Sequence, residues 1–254
     1  MVAEAEENNL DDKIDERWQR WRTCSLCEQK YHGVVKCALG WACWKTYVGR
    51  PETDIIRRGA MTVLGNGLYD AKRDEEALSV REAELPLRRR LGGSEASILV
   101  VQNNLANTYA GLGRWDESLG VRRDIYSGFV RILGEEDRET LLEAHNFALS
   151  LVNDRVRKFG EAKSLLRKTI PVARRVLGDS HDFMLRMRLV YAQSLYKDDC
   201  ATLEDLREAV TKYEDTGRAA RRVLGGAHPI TEIVGRNLLE TRAAIHARET
   251  SSGT

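Results

Sequence analysis

The dipeptide Leu-Gly returns along the chain at Leu91-Gly92, Leu133-Gly134, Leu177-Gly178 and Leu224-Gly225, in steps of 42, 44 and 47 residues. Each closes a basic, apolar run: LRRRLG, VRILG, ARRVLG and ARRVLG. A second anchor lies upstream of each, at Ala77, Ser118, Ala162 and Ala209, always after a glutamate and 14 or 15 positions before the leucine. A third anchor, small again, stands 12 to 17 positions earlier, at Gly65, Ala106, Ala148 and Ala192. Three coincident periodicities of this length mean stacked supersecondary units rather than one globular core.

Within a unit the apolar spacing is helical. LVVQNNLANTYAGLG and RWDESLGVRRDIYSGFVRILG show apolar residues at helical intervals with no strand alternation. Each unit therefore predicts two helices. The glycine of Leu-Gly suits the position after a helix end, where the backbone turns left-handed. Arginines just before it complement the negative helix terminus. Ser94, Asp137 and Ser180 are placed to cap the next helix, and His228 stands at the corresponding point of the last unit. Nine residues after the second anchor come Pro86, Ser127, Pro171 and Arg218, which predicts a bend or weak point in every second helix.

The expected fold class is all-α: a right-handed superhelical stack of about four helix pairs, over 54–92, 93–134, 135–178 and 179–225, closed by a capping helix over 228–248. A small Cys-rich module over 17–50 precedes the 54–227 array. Residues 1–16, with seven acidic side chains and one lysine, read as a poorly ordered lead-in, and 249–254 as a tail. Four prolines and 7% aromatics speak against a sandwich of many short strands. A net charge of +1 gives no global pull towards nucleic acid or membrane. The N-terminus shows no basic, apolar leader and no window is apolar enough to span a bilayer, so a cytoplasmic protein is expected.

The segment CSLCEQKYHGVVKCALGWACWKTY puts Cys24, Cys27, His32 and Cys37 at the spacing C-x2-C-x4-H-x4-C. Zinc takes four thiolate or imidazole ligands in a tetrahedron, and a C-x2-C pair supplies two of them from one tight turn. A structural Zn2+ on Cys24, Cys27, His32 and Cys37 is expected, with Cys43 as the alternative fourth ligand. The competing reading is free thiols packed beside Trp41 and Trp44. The spacing matches the zinc knuckle of nucleic-acid-binding proteins, but the usual glycines before the histidine are missing. The tryptophans, Trp18, Trp21, Trp41 and Trp44, are expected to fasten the module to the first unit, because so short a segment holds too little core of its own.

The units NNLANTYAGLGRWDESL and RRDIYSGFVRILGEEDRETL resemble tetratricopeptide repeats of the kinesin light chain type. That family joins an NNLA-like first helix, a Gly-Arg-aromatic turn and an LG-x-x-H-P junction. The junction stands here as LGDSHDFML and LGGAHPITE and is degraded in LGGSEASIL and LGEEDRETL. The resemblance covers roughly residues 55–235. No heptad coiled coil precedes the repeats, which argues against a motor subunit. What the resemblance implies is a non-catalytic protein-binding or peptide-binding scaffold whose first helices line a groove. Its candidate lining is Asn66, Asn103, Asn107, His145, Arg186 and Gln193, with Asn104 and Asn146 where such repeats hold a ligand backbone. An asparagine amide both donates to and accepts from an extended chain. The paired arginines before each Leu-Gly extend the expectation to acidic partners. The alternative is a nucleic-acid-associated protein working through the Cys/His module, which near-neutral charge disfavours. No P-loop, nucleophile elbow, HExxH or dinucleotide fingerprint occurs, so no enzyme is expected.

Overall fold

The computed structural model describes residues 16, 18–179 and 181–251. The acidic lead-in up to residue 15, Arg17, the predicted cap Ser180 and tail residues 252–254 lie outside the described residues. Among the described residues ten long helices follow in order: α1 (Gly33–Tyr47), α2 (Ile55–Asp70), α3 (Asp74–Arg90), α4 (Glu95–Gly111), α5 (Trp115–Leu133), α6 (Arg138–Leu151), α7 (Phe159–Leu177), α8 (Asp182–Tyr196), α9 (Leu203–Leu224) and α10 (Pro229–Ser251). No strand occurs among the described residues; Thr23 and Lys30 form one isolated bridge.

The repeated signals set the ends of these helices. Gly178 and Gly225 follow the last residue of α7 and α9 with φ of 83° and 90°, values that a β-carbon makes costly. Their amides close the last turns on the carbonyls of Arg174 and Arg221, at 2.9 and 3.2 Å. At the starts, the Ser94 hydroxyl accepts from the Ser97 amide and the Asp137 carboxylate from the Glu139 amide. At α8 the capping residue is His181, one position beyond Ser180: its Nδ1 accepts from the Phe183 amide at 3.1 Å. His228 does the same at α10, where Nδ1 accepts from Ile230 at 3.2 Å. The histidine of the LG-x-x-H junction is thus a helix cap.

The chain forms two compact units that divide within α5, one up to Val121 and one from Arg122. In the first, α1 packs on α2, α2 on α3 and α3 on α4. In the second, α6 through α10 pack each on the next in the same way. The small anchors sit at these crossings. Ala77, Ala106, Ala148, Ala162, Ala192 and Ala209 are fully buried. Ser118, also buried, donates its hydroxyl to the Ala106 carbonyl at 2.8 Å. Helices α3 and α7 run unbroken through Pro86 and Pro171.

Ion pairs join successive repeats of the second unit at constant register. Arg157–Asp199, Lys163–Asp205 and Arg207–Glu249 are each 42 positions apart, at 2.6, 3.0 and 2.9 Å. Exposed pairs contribute little individually. Lys163–Asp205 is the best shielded, with both side chains under one-fifth exposed. The arginines before Leu-Gly are drawn into the same network: Arg123 pairs with Glu161, Arg174 with Asp179 and Arg175 with Glu136.

Candidate functional site

The cysteine segment folds into a tight loop followed by α1. The Cys24 amide donates to the Gln29 carbonyl at 2.9 Å, and the Glu28 amide returns to the Cys24 carbonyl at 2.9 Å. Glu28 takes a left-handed φ of 57° to close the turn. Cys24 and Cys27 are brought together here. Amides of Cys27 and Leu26, helped by the Cys27 thiol, lower the Cys24 pKa to about 7.

The other predicted ligands go elsewhere. His32 is exposed at the start of α1. Cys37 is buried against Leu64, Leu68 and Ala77, and its sulfur accepts from Arg73 at 3.8 Å. Cys43 is buried in a separate cluster with Tyr47, Ala60 and Val63, against which Trp18, Trp21 and Trp44 pack. Burial pushes its pKa up to about 12. Among the described residues no three His, Cys, Asp or Glu side chains gather as a metal site. The fold thus unites two of the four thiolate and imidazole ligands that a tetrahedral zinc takes. The reason lies in α1, where Cys37, Gly40, Cys43 and Tyr47 form its buried stripe. The start of that helix is held by Asp70 of α2, whose carboxylate accepts from the Gly33 amide and pairs with Lys36. Partial burial opposes the charge on Asp70, yet the Gly33 amide and Lys36 together hold its pKa below the usual value.

In the first unit, two of the predicted groove residues converge on one buried cation. Arg81 of α3 is 2% exposed. It donates to the Asn66 Oδ1 at 3.1 Å, to the Asn104 carbonyl at 2.6 Å and to the Thr108 hydroxyl. Its guanidinium lies over the Tyr69 ring, 5.0 Å from the centroid. Asn66 therefore serves as an acceptor that ties α2 to α3, and the backbone of Asn104 ties α3 to α4. Sequence reasoning missed Arg81; its one signal is a charge on the core-facing side of a second helix. Asn103 and Asn107 remain partly exposed, one turn apart on α4.

In the second unit, His145 of α6 is buried, 6% exposed, with its edge on Phe183 of α8 at 5.3 Å. Its Nδ1 has no hydrogen-bond partner among the described residues. Burial, with Arg186 nearby, lowers its pKa to about 4. Asn146 donates to Glu143 at 3.3 Å. Burial raises the Glu143 pKa against the opposing pull of Asn146 and Arg122. Arg186 is exposed and pairs with Asp182 at 3.6 Å, and Gln193 is half-buried. No described helix is long and apolar enough to cross a membrane.

The helix-pair architecture has counterparts among known proteins. The model of the tetratricopeptide repeat matches residues 98–139 and 148–182. A kinesin-light-chain-type protein of Podosopora anserina, built of nearly identical TPR-like repeats, superposes with a TM-score of 0.60 at 17% identity, covering 88% of this chain and 93% of that one. BtubC of P. vanneervenii gives 0.51 at 15% identity over 84% and 91%. A Rap protein, solved with competence and sporulation factor, gives 0.52 at 14% identity over 83% of this chain and 59% of its own. No curated protein matches the chain. Two segments of the chain thus match the tetratricopeptide repeat, and its all-helical scaffold shares the fold of these solved structures.

Proposed function

We propose that the protein is a non-catalytic adaptor that binds a partner protein through an extended peptide laid along α4 in its first unit. One observation carries this reading: Asn103 and Asn107 stay partly exposed one turn apart on α4 while Leu105, Ala106 and Thr108 beside them are buried. Partly exposed amides in such a row can exchange their hydrogen bonds for those of an extended backbone lying along a rigid helix. In the second unit, taken by itself, Arg186 and Gln193, two turns apart on α8, likewise leave a polar face. Asn66 belongs to the supporting layer, since Arg81 holds its side chain, whereas Arg81 reaches only the backbone carbonyl of Asn104. The Rap protein was solved with its competence and sporulation factor, which agrees with a ligand-holding use of this architecture.

The test is selection of a random peptide library on the immobilised full chain, followed by calorimetric titration of the enriched sequence. Asn103→Ala with Asn107→Ala should weaken binding about tenfold, and chelation of zinc should leave it unchanged. No enrichment, or an affinity indifferent to both asparagines, would remove the reading.

A further inference from the structure

A cavity of about 500 Å3 opens in the second unit between α7, α8 and α9. Leu166, Ile170 and Pro171 form its apolar side, and Pro171 brings no amide hydrogen that would need a partner. It is separate from the surface proposed for peptides. Successive residues of a helix turn by about 100°, so Arg188 and Tyr191, which line the cavity, face about 180° away from Arg186 and Gln193 on the same helix.

Its polar groups leave a positive surplus. Four cations reach the cavity against three carboxylates, and each carboxylate is already engaged. Asp179 is shared between Arg174 and Arg188. Glu208 takes the Tyr191 hydroxyl at 2.8 Å and Arg167 at 3.5 Å. Asp215 pairs with Arg218. Lys212 makes no ion pair among the described residues. A second observation points the same way. Thr216 is fully buried, lines the cavity, and its hydroxyl has no hydrogen-bond partner among the described residues. Such groups are rare in folded proteins because an unmet hydroxyl is costly.

We propose that this cavity binds a small amphiphilic anion, a carboxylate, sulfonate or phosphate monoester on an apolar body. The anionic head meets Lys212 and Arg188, the Thr216 hydroxyl supplies a hydrogen bond, and the body lies on Leu166, Ile170 and Pro171. The volume falls in the usual range of small-molecule sites. A bound anion would bridge α7 and α9, the second helices of consecutive repeats. It would thereby strengthen the same junction as the Lys163–Asp205 pair.

The test titrates the full chain with anilinonaphthalene sulfonate, read by fluorescence, beside the neutral dye Nile red. The expected result is saturable binding of one sulfonate probe per chain that weakens with added salt. Lys212→Glu should weaken it about tenfold, with far-ultraviolet circular dichroism unchanged, and Thr216→Val should weaken it less. Arg207→Gln, a charge change on α9 away from the cavity, should leave the affinity as it is. The proposal is overturned if Lys212→Glu and Arg207→Gln behave alike, or if Nile red binds with the same stoichiometry and competes for the same sites.

Discussion

Gly67 lies against Cys37: a β-carbon at Gly67 would stand 3.0 Å from the Cys37 Cα and 2.7 Å from the Lys36 carbonyl oxygen. Gly40 makes the reciprocal approach, its added β-carbon 3.0 Å from the Leu64 Cα. The cysteine segment and the first repeat therefore meet backbone to backbone, at two glycines on facing helices. This contact decides what Cys37 is for. Its thiol is buried against Leu64 and Leu68 of α2 and Ala77 of α3.

Gly67→Ala follows from that contact. Alanine is worth up to about 1 kcal/mol more than glycine inside a helix, yet overpacking against backbone costs about 1–3 kcal/mol. Here the steric term wins, because a main-chain carbonyl cannot swing aside as a flexible side chain can. Chemical unfolding of the full chain should show a loss of about 2 kcal/mol, together with new reactivity at Cys37. Gly120→Ala, in open space on α5, should be neutral or slightly stabilising. Equal stability of both variants would remove the close-packing account.

How much of this was legible in the sequence depends on which residues carried the signal. Leu177-Gly178 and Leu224-Gly225 marked helix ends because a left-handed backbone position selects glycine, and the alanine anchors marked crossings because nothing larger fits there. The cysteine segment was harder. C-x2-C-x4-H-x4-C is a ligand spacing, but Cys37, Gly40, Cys43 and Tyr47 are also a helical stripe, and that second periodicity prevails in the fold. Burial against α2 depends on Gly40 of α1 meeting α2 and on Gly67, near the far end of α2, meeting α1, a pairing that no local pattern reveals. The groove residues were read by register, which picked the partly exposed Asn103 and the exposed Arg186 but also the buried His145. It did not foresee that Arg81 would hold Asn66, because a lone arginine in a second helix looks like surface.

Thiol chemistry separates the two kinds of cysteine. With its pKa at about 7 and an exposed loop around it, Cys24 should react first with a disulfide reagent, at a rate that rises as pH passes about 7. Cys43, pushed up to about 12 by burial, should react only as the protein unfolds. Added zinc should slow Cys24 and Cys27, and Cys37→Ser should not relieve that protection, since Cys37 is committed to the core. Protection lost with Cys37→Ser would instead establish the four-ligand set and require α1 to repack. Mass-spectrometric mapping of the labelled sites decides between them.

Arg81 should behave as a buried junction. Its removal takes the buried guanidinium away from the Asn66 side chain, the Asn104 carbonyl and the Thr108 hydroxyl at once, leaving that carbonyl only the Thr108 hydroxyl at 3.0 Å among the described side-chain donors. Breaking such a network costs about 3 kcal/mol or more. Arg81→Ala should lower the unfolding free energy by about that amount. Arg81→Lys should restore only a minor part, because an ammonium cannot reach three acceptors on two helices as the guanidinium fork does. If Arg81→Lys matched the parent in denaturant unfolding, the junction would be electrostatic rather than geometric.

His145 predicts a pH dependence with a definite sign. Burial, and then Arg186, hold its folded pKa at about 4 against an ordinary 6.5. Between those values the unfolded chain binds a proton that the folded chain refuses. The stability associated with neutral His145 is therefore complete above about pH 6.5 and is lost as pH falls towards about 4, up to roughly 3 kcal/mol in all. His145→Leu keeps an apolar side chain beside Phe183 and removes both the titration and the unpartnered Nδ1. Its unfolding free energy should consequently decline less than the parent's between pH 6.5 and 4.5, with the remaining slope due to carboxylates common to both. Parallel slopes for the two proteins would show that the imidazole takes up its proton in the fold as readily as in the unfolded chain. In that case Arg186 could not stand beside it as placed, and the polar face proposed on α8 would have to be redrawn around a protonated His145.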